Sequence, residues 1–323
     1  MKCMARIVAG LLSLMSTAAL ADPAPVDLPN PRAFPESLSI APDGKAYVSS
    51  LSGGVSRVDL ASGQVAPFIA PGAYGSASTF GVLADAAHGL LWVCSNNLSG
   101  AGMTIAGADA GALIKGFDLA TGEGKVSLRL PGDNPFCNDM AVAADGTLYV
   151  TDTTHSHILR RRPGGDALEL WFADPALARE GGAGGLDGIA LGGDGNLYLN
   201  NFQSNGFFRV TVKPDGTAGG VTTLATSRAL TVPDGLRAVD GTHFVQAEAA
   251  GRVALLTVSG DSVDVRTLAD GLSSPTGVDV HDGTLWYVQG EVSYVFNPRL
   301  RDQTPPLPFR VTPVPLAHQP PHH

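Results

Sequence analysis

After its first twenty residues the chain has no long apolar run, and it carries no convincing amphipathic helix. That argues against membrane-spanning helices, which need about 20 apolar residues each, and against an α-rich fold. Charged residues are sparse at 16% and aromatics at 7%. No G-x-S-x-G elbow, H-E-x-x-H or C-x-x-C occurs, which disfavours serine hydrolases, zincins and thioredoxin-like redox chemistry. Basic residues are outnumbered, with 21 Lys and Arg against 30 Asp and Glu. An acidic surface disfavours nucleic acid or an anionic membrane as partner and suits a soluble protein that binds cations. Glycine, by contrast, is abundant at 40 residues, which implies many tight turns.

Lys2 and Arg6 precede an apolar run from Ile7 to Leu20, and Ala19-Leu20-Ala21 offers a small-residue cleavage site. This is the pattern of a secretory signal peptide. Residues 1–21 are expected to be removed near Ala21, leaving a periplasmic or secreted chain. Cys3 would leave with them. Cys94 and Cys137 remain, and in an oxidising compartment they form either a disulfide or two buried thiols.

A short apolar strand, a turn ending in Gly and a second strand recur six times. The turns are Asp43-Gly44, His88-Gly89, Asp145-Gly146, Asp194-Gly195, Asp240-Gly241 and Asp282-Gly283. Asp-Gly between apolar strands is a strong hairpin signal. Each second strand (KAYVSS, LLWVCSNN, TLYVTDT, NLYLNNF, THFVQAE, TLWYVQG) is followed by a third and a fainter fourth. Four strands in about 40–45 residues describe a propeller blade. The expectation is an all-β, six-bladed β-propeller over residues 22–317, followed by a Pro/His-rich tail, 318–323, without fixed structure. In the last blade, EVSYVF is expected as third strand and FRVTPVPL (309–316) as outer strand. Closure by the N-terminal segment around Val26 is the competing arrangement.

Registering the repeats on their glycines exposes a polar ring. Eight residues before Gly44, Gly89, Gly146 and Gly195 stand Glu36, Gly81, Asn138 and Asp187; seven before Gly241 and Gly283 stand Asp234 and Thr276. These positions open the innermost strands, which surround a propeller's axis at one end. Any one of them alone is an ordinary turn residue. Three carboxylates and an amide at a shared offset are better explained by a divalent cation, without which like charges would repel. Ca²⁺ is the first expectation because it takes 6–8 oxygen ligands; Zn²⁺, Mn²⁺ or Mg²⁺ are alternatives.

These motifs resemble the senescence-marker-protein/gluconolactonase and luciferin-regenerating-enzyme-like family of six-bladed propellers. Phe34-Pro35-Glu36, Asn138-Asp139 and Pro233-Asp234-Gly235 look like its metal-binding segments, with Asp187-Gly188 standing where Asn-Gly is usual. The resemblance implies metal ligands Glu36, Asn138, Asp187 and Asp234, and Asp234 as the catalytic general base of a lactonase. It also implies an Arg two residues before Asn138 to hold a sugar lactone, but Phe136 stands there. A less polar lactone, ester or phosphotriester is therefore the expected small-molecule substrate.

Second-strand ends present further candidates: Asn96, Asn97, Asp152, Asn200, Asn201, Glu248 and Gln289. Glu248 is the sharpest second acid, and His155 a possible proton shuttle. With Phe136, Thr276, Asp152 and Asn200 they make up the expected substrate and supporting set. Gly181–Gly185 is expected as a lip over the pocket. The protein is expected to be a monomer or weak dimer, and the enzyme reading competes with a non-catalytic periplasmic propeller that binds a ligand or protein and whose cation is structural. An accessible cation site over Asp234 favours the first and a filled channel the second.

Overall fold

The computed structural model describes residues 23–182 and 184–316. The expected signal peptide and the Pro/His tail lie outside these. Among the described residues no helix is long and apolar enough to cross a membrane.

Six antiparallel blades form a ring. Their innermost strands are Leu38–Ile40, Ser78–Asp85, Cys137–Val142, Leu186–Leu191, Pro233–Ala238 and Pro275–His281. Each packs beside the innermost strand of the next blade, and the sixth returns to the first. The hairpins follow the turn chemistry: Gly44, Gly89, Gly146, Gly195 and Gly283 all take φ between 68° and 85°. The sixth turn is a two-residue loop with Asp282 also left-handed at φ 46°, as a type I′ turn requires. Gly241 is not left-handed; there the Asp240 carboxylate accepts from the Thr242 and His243 N–H groups and makes the turn itself.

Blade faces carry alternate apolar residues, so each blade buries one face on its neighbour. Ala141, Tyr149 and Ile158 of blade 3 meet Leu186, Ile189 and Phe208 of blade 4. On the far face of blade 4, the Tyr198 ring lies 4.6 Å from that of Phe244 in blade 5.

Closure of the sixth blade follows the competing arrangement, by the N-terminal segment around Val26. Its third strand is Arg310–Pro315 and its outermost is Val26–Asp27, in the order Val26–Asp27, Arg310–Pro315, Thr284–Gln289, Pro275–His281. Both ends of the described chain therefore share one sheet. The segment EVSYVF is not a strand; Ser293–Phe296 is one helical turn within an excursion that runs to Phe309. Burial of Phe309 against Phe34, ring centroids 5.2 Å apart, anchors its return. Blade 5 gains a short parallel strand, Ala225–Thr226, on its outer edge.

Cys94 and Cys137 are joined as a disulfide, linking the second strand of blade 2 to the innermost strand of blade 3.

Candidate metal centre and its cavity

In five blades the pairing of the first two strands slips at the same point. The ladder breaks between Thr79 and Val82, Cys137 and Met140, Leu186 and Ile189, Pro233 and Leu236, and Pro275 and Val278. Two residues fall unpaired in each gap, a bulge that re-aims side chains. The first is Phe80, Asn138, Asp187, Asp234 or Thr276. The second is Gly81, Asp139, Gly188, Gly235 or Gly277, pressed against the next blade: a Cβ at Gly188 would lie 2.7 Å from the Asp234 carbonyl oxygen. Gly81 meets the Asn138 carbonyl in the same way, at 2.3 Å. The ring position in blade 2 is therefore Phe80, not Gly81, because its turn is one residue longer than the shared offset assumed.

In three blades the N–H after the ring residue is held by a side chain twelve residues on. Ser37 N donates to Ser49 Oγ at 2.9 Å, Asp139 N to Thr151 Oγ1 at 3.0 Å and Gly188 N to Asn200 Oδ1 at 2.9 Å. A left-handed residue also stands two places before four ring positions: Phe34 (φ 42°), Gly185 (φ 92°), Val232 (φ 51°) and Ser274 (φ 40°). For β-branched Val232 this is strained, at a cost of about 1–2 kcal/mol, and its N–H is held by Asn205 Oδ1 at 2.8 Å.

These devices bring Glu36, Asp187 and Asp234 together, with one carboxylate oxygen of each within 4.8 Å of the others. Asn138 Nδ2 donates to Asp187 Oδ2 at 3.2 Å. Burial pushes all three carboxyls up. Asp187 rises to about 8, with Asp139 as the next cause; Glu36 and Asp234 rise well above the usual range, with Asp187 the next cause for both. Beneath them Arg237 crosses the channel. Its Nη1 donates to Asp139 Oδ2 at 2.6 Å and to the Leu236 carbonyl at 2.8 Å, and its Nη2 to the Val82 carbonyl at 2.9 Å. With Asp279, which also interacts with Arg237, five carboxyls thus gather around one guanidinium. Glu36 Oε2 is buried without a hydrogen-bond partner. An oxygen-only donor set with excess negative charge and an orphaned carboxylate oxygen fits a hard divalent cation.

A cavity of about 540 Å³ opens over these groups. Glu36, Asn138, Asp187 and Asp234 line it below, and Phe80, Phe136, Phe202, Val232, Val292 and Phe296 form apolar walls. Phe80 and Phe136 meet edge to face, 4.8 Å apart. Gly184 reaches the rim, part of the expected Gly181–Gly185 lip.

The remaining candidates divide. Asn200 Nδ2 donates to the Asp234 carbonyl at 2.6 Å, so with its bond to Gly188 it spans the strands that carry Asp187 and Asp234. Thr276 Oγ1 donates to the Pro35 carbonyl at 3.1 Å, beside Glu36. Asp152 Oδ1 accepts from Phe136 N at 2.9 Å and so fixes the strand entering Asn138. Glu248 is not a second acid in the cavity. Fully buried, it is ion-paired with Arg228 and accepts from Thr231 N at 2.7 Å, holding the loop before Asp234. His155 is not on the cavity wall either; it turns back to Asp152, Nδ1 to Oδ2 2.6 Å. Asn96 and Asn201 satisfy backbone groups; Asn97 caps Ser99 N, and Gln289 bonds Glu291. Phe80, Phe202, Phe296 and Arg237 were not singled out from the sequence. Phe80 alone had a usable signal, had the blade 2 turn been allowed its extra residue.

The family model described as strictosidine synthase-like, N-terminal, matches residues 17–58. Comparison with curated proteins found no match. Among solved structures, the gluconolactonase of Xanthomonas campestris superposes with TM-score 0.63 at 18% identity, covering 94% of each chain. The calcium-binding protein regucalcin of Agrobacterium tumefaciens gives 0.60 at 16%, covering 92% of this chain and 96% of that one. The chain shares their six-bladed fold. The major allergen Mala s 1 of Malassezia sympodialis, at 0.70 and 15% identity over 94% of this chain and 99% of its own, has this propeller too.

Proposed function

We propose that the chain is an exported, metal-dependent hydrolase that opens a lactone or related ester of low polarity. The observation that carries this reading is the trio Glu36, Asp187 and Asp234, gathered within 4.8 Å at the floor of an open, apolar-walled cavity. A fully closed channel would have suited a purely structural ion; here the channel is filled only below, by Arg237.

Glu36, Asn138, Asp187 and Asp234 would hold the cation, most suitably Ca²⁺. Bound there, it would supply Lewis-acid polarisation of a carbonyl oxygen. Glu36 and Asp187 are buried, whereas Asp234 is only partly buried and lines the cavity, so it is the carboxylate a water can reach. With the cation bound it would be held ionised and so able to accept that water's proton. Asp234 takes a proton as water adds to the carbonyl carbon. The ring C–O bond then breaks, and the alkoxide takes that proton to leave a hydroxy acid. Phe80, Phe136, Phe202 and Phe296 exclude water and favour an apolar acyl or ring substituent.

The test is a panel of aliphatic lactones, aryl esters, phosphotriesters and gluconolactone, assayed after chelation and after restoring Ca²⁺, Mn²⁺, Zn²⁺ or Mg²⁺. Activity on the apolar members that vanishes with chelator and returns with metal is expected. Turnover indifferent to chelation would remove the basis of the proposal.

A further inference from the structure

We infer that the turn Asp152–His157 forms a second metal site, distinct from the axial one and selective for nitrogen-preferring transition ions. One ligand atom each from Asp152, His155 and His157 lies within 4.8 Å of the others. The two imidazoles are stacked, centroids 5.3 Å apart and planes at 24°. Between them Ser156 takes a left-handed φ of 54°, so the chain bends tightly where the rings meet. Asp152 is 1% exposed and its Oδ1 is anchored by the N–H groups of Phe136 (2.9 Å) and Thr154 (3.1 Å). Its Oδ2 faces His155 Nδ1 at 2.6 Å. A carboxylate already oriented by backbone donors is the support a ligating group needs, and the His155 side chain, 30% exposed, leaves an entry path.

The same Asp-x-x-His contact occurs at Asp85–His88 and Asp240–His243, where it only shapes a turn. What separates Asp152–His155 is the second imidazole. Among the described residues no other cluster combines a carboxylate with two histidines. Two imidazole nitrogens and one carboxylate suit Zn²⁺, Co²⁺, Ni²⁺ or Cu²⁺, whereas Ca²⁺ prefers six or more oxygens. Three protein ligands leave a fourth position for water or a small anion. Asp152 and His155 bracket Thr153 and Thr154, which line the axial cavity. Occupancy would therefore stiffen that wall without contributing a ligand to the centre beneath it.

The experiment is a Co²⁺ and Cu²⁺ titration of the full, untagged chain after chelation, read by visible absorption and by nitrogen hyperfine structure in the Cu²⁺ EPR spectrum. One site bearing two imidazoles is expected. His155→Asn and His157→Asn should each weaken it more than about a hundredfold, beyond the roughly 10–100-fold that loss of a supporting partner alone costs. Glu36→Gln, which disables the axial centre, should leave it in place. His318, His322 and His323 offer a competing chelator, so a variant with all three changed to Ala is titrated in parallel and should bind as before. Absence of a nitrogen-ligated site would overturn the inference. Equal binding by a correctly folded His157→Asn variant, or loss only when the terminal histidines are removed, would overturn it too.

Discussion

Arg237 of blade 5 and Asp139 of blade 3 meet across the propeller axis, Nη1 to Oδ2 2.6 Å, with side chains 8% and 5% exposed. The pair closes the channel under the carboxylate trio and supplies the positive charge fixed in the chain at that level. Breaking a buried pair costs more than the pair is worth, because one charge is left stranded. Arg237→Met should destabilise the protein by about 3–5 kcal/mol, measured by denaturant unfolding. A change below about 1 kcal/mol would mean that water or another group serves Asp139 equally well.

The pH response of the cation-free protein follows from the raised carboxyls. Asp187 is pushed up to about 8, while in the unfolded chain an Asp titrates near ~3.9. Between those values the folded state holds a proton that the unfolded state has lost. Stability in chelator should therefore fall as pH rises from about 4 through about 8. Protons and metal compete for the same oxygens, so apparent affinity for Ca²⁺ should rise over that window. Melting curves and calorimetric titrations at pH 5, 7 and 9 check both trends; a cation-free chain that gains stability toward pH 8 would contradict them.

Asp234→Asn keeps shape but removes the base and one charge. Turnover should drop at least about 10²-fold, the low end for a general base, with the circular dichroism spectrum unchanged. Unaltered hydrolysis would transfer the role to another group.

Phe136 forms part of the apolar wall where a sugar lactonase of the resembling family would place Arg. Phe136→Arg should lower kcat/KM for an alkyl lactone by about tenfold or more, the scale of lost pocket contacts, and narrow the gap to gluconolactone. An unchanged ratio between those substrates would mean that this wall does not select them.

The disulfide Cys94–Cys137 closes a loop of sequence separation 43. On chain-entropy grounds it contributes about 4 kcal/mol. Cys94→Ser with Cys137→Ser should lose most of this on unfolding, and because Cys137 adjoins Asn138, metal affinity should fall with it. Equal stability of the oxidised and double-Ser forms would show that packing of blades 2 and 3 suffices.

The hairpin turns made the blades readable, because an Asp-Gly between apolar strands is a local device with a local cause. The same regularity carried Glu36, Asn138, Asp187, Asp234 and Thr276 to equivalent positions. It failed at blade 2, where one added turn residue shifted the count onto Gly81 and hid Phe80. Glu248 read as a free acid because the sequence does not reveal that Arg228, twenty residues earlier, folds back to pair with it.

By itself, then, the sequence determined the repeat, the six blades and four polar groups of the centre, all of which follow from short-range patterning. Which strand closes the ring, which apolar residues wall the cavity and which carboxylates stand in pairs were decided only in three dimensions. Val26–Asp27 joins Arg310–Pro315, and Arg237 reaches Asp139, through contacts between segments far apart in the chain. Such contacts depend on the ring having closed, and no local periodicity encodes them.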